Sequence, residues 1–104
     1  MADLPPDKRR GWAAFLLGRA WFEKGRDEVA RSHLEKAVAL WPGLALAHRY
    51  LSYVCLRQEH FDEALGSSEL ACKLDSEDQS LHWECDQLRL LTGATGEISL
   101  PDQA

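Results

Sequence analysis

At 104 residues, with 45% apolar and 28% charged side chains, the chain has the balance of one small globular domain whose single core leaves a modest stability margin. A formal charge of -5 and a pI near 5.3 argue against nucleic acid or an anionic membrane as partner, since both reward clustered Lys and Arg. Cys55, Cys72 and Cys85 are odd in number and lack C-x-x-C spacing, which argues against a disulfide framework or a zinc ribbon and suits reduced, helix-packing thiols.

Residues 1–10, with Pro5-Pro6, read as a flexible lead-in to a first helix. Their basic residues are not followed by the apolar run of a secretory signal, because Glu23, Lys24 and Arg26 interrupt it. No stretch approaches the ~18 apolar residues of a membrane span, so the expected location is cytoplasmic. Val, Ile and Thr are scarce and nowhere alternate with polar residues, so an all-α fold is expected.

From Trp12 to Lys24, the residues Ala14, Leu17, Gly18 and Trp21 form one stripe at helical spacing, and Gly25-Arg26-Asp27 supplies a break and a new N-cap. Val29, Ala30, Leu34, Ala37 and Val38 make a second stripe, closed by Pro42-Gly43. A second hairpin runs through Ala47, Leu51, Val54 and Cys55, turns at Glu59-His60, and continues with Phe61, Ala64, Leu65, Ser68, Ala71 and Leu74. Asp75-Ser76-Glu77-Asp78 stops it and offers an N-cap to a fifth helix near 78–92, with Leu81, Cys85, Leu88 and Leu91, which Gly93 ends.

The chain says the same thing twice: LGRAWFEKGRDEVA at 17–30 and LSYVCLRQEHFDEA at 51–64 align at an offset of thirty-four. A helix-turn-helix with that period resembles the tetratricopeptide repeat (TPR). Residues 11–44 carry Leu17-Gly18, Trp21 where the family has Tyr, Ala30, Leu34 where it has Phe, Ala37 and Pro42. Residues 45–78 keep Leu51, the small Ser52, Ala64 and Ala71, while Cys55, Ser68 and Ser76 replace Tyr, Phe and Pro. The resemblance implies an all-α TPR helix-turn-helix solenoid with repeats 11–44 and 45–78 and a capping helix at about 78–92. That domain, 11–92, is followed by an expected flexible tail, 93–104. The small residues are where two helix backbones must approach, with Leu17, Trp21 and Leu34 filling the space beside them.

Residues that this packing does not need form a second stripe. It comprises Trp12, Phe15, Arg19 and Phe22 in the first helix, Leu46, Arg49, Tyr53 and Leu56 in the third, and Trp83, Gln87 and Leu90 in the fifth. In TPR proteins these helices line the concave face, so the resemblance places this stripe in a groove for another protein or peptide segment. Its aromatic area exceeds what a monomer usually exposes. The Lys and Asn of a carboxylate clamp are absent, so an apolar helical or extended segment is the expected ligand, with Arg19, Arg49 and Arg57 available to acidic flanks. Small size, acidity and an apolar groove are similar to the cytosolic TPR chaperones of type III secretion.

Other classes have weaker signals. His82-x-x-Cys85 offers two ligands at most, and no Gly-rich phosphate loop or nucleophile motif is present, so the chain is expected to be no enzyme and to need no cofactor or metal. A self-associating scaffold, burying the same aromatics in a homodimer, is the alternative. Within the tail, Ile98, Leu100 and Pro101 are candidates for a self-ligand.

Overall fold

The structure is a computed structural model that describes residues 3–93; the tail beyond Gly93, and with it Ile98, Leu100 and Pro101, lies outside them. Five helices follow in chain order: α1 (Pro6–Glu23), α2 (Asp27–Leu40), α3 (Ala45–Arg57), α4 (Phe61–Leu74) and α5 (Gln79–Thr92). The described residues contain no strand. None of these helices is long and apolar enough to cross a membrane.

Residues 6–10, expected in the flexible lead-in, are instead the opening of α1. Pro6 takes the first helical position, where its missing N–H removes only a donor that has no partner there, and Asp7 adds a favourable charge to the first turn. Asp27, expected as an N-cap, is already the first residue of α2 and no side chain caps that helix. Asp78 does cap α5, its Oδ1 accepting from the Ser80 N–H at 3.0 Å.

The backbone repeats the sequence period. α1 ends in a Schellman turn in which the Arg26 N–H donates to the Trp21 carbonyl at 2.9 Å, and α3 ends in the same turn with His60 N–H on Cys55 at 2.8 Å. Leu44 N–H to Trp41 and Asp78 N–H to Asp75 match in the same way at the next junction. The left-handed residue of the first turn is Gly25, φ 81°, but in the second it is Glu59, φ 64°. A side chain in that region costs about 1–2 kcal/mol. Glu59→Gly is therefore expected to raise stability by ~1 kcal/mol, seen as a higher urea midpoint at unchanged slope.

Packing follows chain order: α1 lies on α2, α2 on α3, α3 on α4 and α4 on α5, with α1 also touching α3. The backbones close up at the small residues. A Cβ on Gly18 would stand 2.6 Å from Leu34 Cγ, and one on Gly11 2.9 Å from Trp41 Cβ. Ala30, Ala37, Ala64 and Ala71 are fully buried at the facing positions. Two core clusters result. One joins the α1–α2 hairpin to Leu44 and to Ala47, Leu51 and Val54 of α3, and the other joins Cys55 and α4 to Leu81, Cys85 and Leu88 of α5.

Leu17 departs from expectation. The repeat pattern puts it in the packing beside Gly18, yet it is 50% exposed whereas Leu51, one period later, is 8% exposed. Leu51 has a preceding hairpin to pack on; the described residues supply none for Leu17.

Candidate functional site

The expected groove stripe divides into residues that the fold consumes and residues that it leaves open. Phe15 is consumed: it is 1% exposed, inside the first core cluster. Trp12 and Phe22 are half-buried against the same cluster. Their rings form a run across the α1–α3 joint, Trp12 on Phe15 (5.2 Å between centroids), Phe15 on Tyr50 (5.4 Å), Phe22 on Tyr50 (5.8 Å) and Phe22 on Tyr53 (6.1 Å). The spare aromatic face of α1 is spent largely on α3. Tyr50, absent from the sequence reading, is the piece that covers it; its place three residues before Tyr53 was the available signal.

Arg49 is likewise not a free cation. Its Nη2 donates to Glu84 Oε2 at 2.8 Å and to Ser80 Oγ at 3.1 Å, its Nε to the Tyr53 hydroxyl at 2.6 Å, and Asp78 stands at 3.8 Å. The Tyr53 O–H donates in turn to Glu84 at 2.7 Å. This partly buried network ties α3 to α5. It also sets a titration: burial first, and then the bond to Glu84, push the Tyr53 phenol up to about 12 from an ordinary 10.0. Because the folded value is raised, the contribution is present below pH 10 and is lost as pH climbs through the folded value. Urea midpoints across that range should fall in the wild type, and Tyr53→Phe should flatten the slope.

Arg57, Arg19 and Arg31 also have partners. Arg57 bonds Asp27 and the Phe22 carbonyl and lies 3.9 Å over the Phe22 ring, closing the joint between the hairpins. Arg19 approaches Glu23 at 3.9 Å on an exposed face. Arg31 links the second helices, bonding Glu63 at 2.8 Å and Glu35 at 3.0 Å, and holds the Glu63 carboxyl below its usual range.

What stays open lies towards α5. Leu46, Leu56, Trp83 and Leu90 are all exposed, Trp83 at 64%. Between α3 and α5 lies a cleft of about 250 Å³, lined by Ser52, Tyr53, Leu56, Trp83, Glu84, Gln87, Leu88 and Leu91. It gathers Tyr53, Leu56 and Trp83 from the expected site and leaves Trp12, Phe15, Arg19, Phe22, Leu46, Arg49 and Leu90 outside its walls. Leu91, expected in the helix core, turns out to be a lining residue.

The cleft is lined mainly by apolar and uncharged side chains. Its charged member, Glu84, is neutralised by Arg49. Elsewhere, His82 Nε2–H donates to the Ser76 carbonyl at 2.7 Å, and its Nδ1 meets Cys72 Sγ at 3.7 Å. Burial raises the thiol pKa of Cys55 and of Cys72, which keeps both protonated. Among the described residues no group of three His, Cys, Asp or Glu is arranged to hold a metal ion. Neither the protein-family models nor the curated proteins yield a match to this chain.

Proposed function

We propose that the chain is a non-catalytic TPR-type interaction module that takes an apolar helical or extended segment of a partner protein in the α3–α5 cleft. The carrying observation is the cleft itself, bordered by the exposed Leu56, Trp83 and Leu91. Its volume falls below the roughly 300–1,000 Å³ of small-molecule sites, a size that suits one or two anchor side chains of a peptide. The TPR reading is supported by the helix junctions, which recur at thirty-four residues in hydrogen bonding as well as in sequence, and by stacking in chain order.

The narrower form of the proposal is a cytoplasmic chaperone like those of type III secretion, and it rests on small size, the charge of -5 and this cleft. Three free buried cysteines fit a reducing compartment.

A displayed peptide library tests the reading. Selected peptides should share spaced apolar anchors, and Leu56→Asp should weaken their binding at least ~10-fold, equivalent to about 1.4 kcal/mol. Leu70→Asp, an exposed leucine of α4 outside the cleft, should leave binding unchanged. Equal binding to both variants would refute the site.

A further inference from the structure

We infer that the two ends of the helix stack reproduce part of the joint that the fold already uses internally, so that a second copy of the chain docks head to tail. The inference uses the ends of the stack and does not depend on the peptide reading of the cleft.

The register carries the argument. Ala47, Leu51 and Val54 of α3 are buried against the first hairpin, and one period later Leu81, Cys85 and Leu88 of α5 are buried against the second. One period earlier stand Ala13, Leu17 and Ala20 of α1, and all three are exposed. The same helix face that α3 and α5 insert into a neighbour is thus presented, unoccupied among the described residues, by α1.

The opposite end shows the receiving half. In the first joint Tyr50 of α3 covers Phe15 of α1, centroid to centroid at 5.4 Å. In the second joint the equivalent residues are Glu84 of α5 and Arg49 of α3, bonded at 2.8 Å. Carrying the pattern one period further, the receiving residue is Trp83 and the covering residue is Leu16 of another copy. Trp83 is 64% exposed and Leu16 is 37% exposed. Leu90, equivalent to the half-buried Phe22, is also open.

Charge selects this orientation over head to head. Residues 3–44 hold eight Lys and Arg against six Asp and Glu, whereas residues 45–93 hold four against nine. The longest helix spans about 27 Å at 1.5 Å per residue, so the 56 Å dimension is the stacking direction. Its two ends therefore differ in sign, which steers opposite ends together. A joint whose two halves differ is heterologous, so copies add in a row rather than closing as a pair. Internally α3 rests more on α2 than on α1, and α5 rests on α4; the receiving end offers α5 without a following helix, so this joint reproduces only the smaller, α1–α3 part of the internal contact and is weaker.

Sedimentation velocity across a concentration series tests this. The wild type should grow past dimer mass with concentration and shrink with added salt. Leu16→Glu blocks one end and Trp83→Glu the other; each variant alone should remain at 11.7 kDa, while their equimolar mixture should form a heterodimer and nothing larger. Ala20→Glu serves as a second block of the first end should Leu16→Glu lose its circular-dichroism signature. A wild type that stays monomeric throughout, or a mixture that fails to pair, overturns the inference. Leu56→Asp separates the two proposals, since it should weaken peptide binding and leave self-assembly intact.

Discussion

Phe15→Ala is expected to lower the unfolding free energy by about 3–5 kcal/mol, the range for deleting a large aromatic from a packed core. A domain of this size holds roughly 5–15 kcal/mol in all, so the variant should be largely or wholly destabilised at 37 °C. The cause is position: Phe15 is 1% exposed and touches Trp12 on its own helix and Tyr50 across the α1–α3 joint. Its ring belongs to the joint, and its removal leaves a cavity bounded by residues that the rest of the cluster holds in place. Urea unfolding followed by circular dichroism reads the loss. A groove-lining residue would behave oppositely, costing partner affinity and little stability.

The second large effect concerns volume. Gly18→Ala should cost about 1–3 kcal/mol, because the new methyl would sit 2.6 Å and 2.8 Å from two carbons of Leu34 and 3.2 Å from the Ala30 carbonyl oxygen. Leu34 is fully buried, so its side chain has no free direction in which to retreat. The second hairpin shows the compensated version of this contact. Where the first has Gly18 and Leu34, the second has Ser52 and Ser68, both buried; a larger residue on one helix is matched by a smaller one on the other. A Gly18→Ala, Leu34→Ala double variant should therefore lose less than the two single losses summed, which a double-mutant cycle measures directly.

This volume exchange explains what the sequence made legible. The helix count, the turns at 24–26 and 58–60 and the small-residue contacts all follow from local chemistry: a break residue, an N-cap, an apolar stripe at helical spacing. The start of α1 was missed because Pro5-Pro6 reads equally as a loose segment and as a helix opening, and only the helix geometry decides. Phe15 and Leu17 were exchanged for a different reason. Both lie on apolar stripes of one helix, and periodicity says that a face is apolar without saying which neighbour covers it. α3 covers Phe15, and nothing among the described residues covers Leu17.

The candidate site was legible only in part for the same reason. Tyr53, Leu56 and Trp83 share a groove register in the sequence and line one cleft in the fold. Arg49 belongs to that register too, yet Glu84, thirty-five residues away, claims it; no pattern local to either helix announces that pairing. Leu91 continues the stripe of Leu81, Cys85 and Leu88, which points it to the core, but it falls a helical step to one side and lines the cleft instead.

The most direct test of the cleft as receptive surface is chemical-shift mapping of the labelled chain with a library-selected apolar peptide. Perturbations should concentrate on Tyr53, Leu56, the Trp83 indole, Gln87 and Leu91. Perturbations centred instead on Glu59–Glu63, or around Cys72 and His82, with the Trp83 indole unmoved, would contradict that role of the cleft.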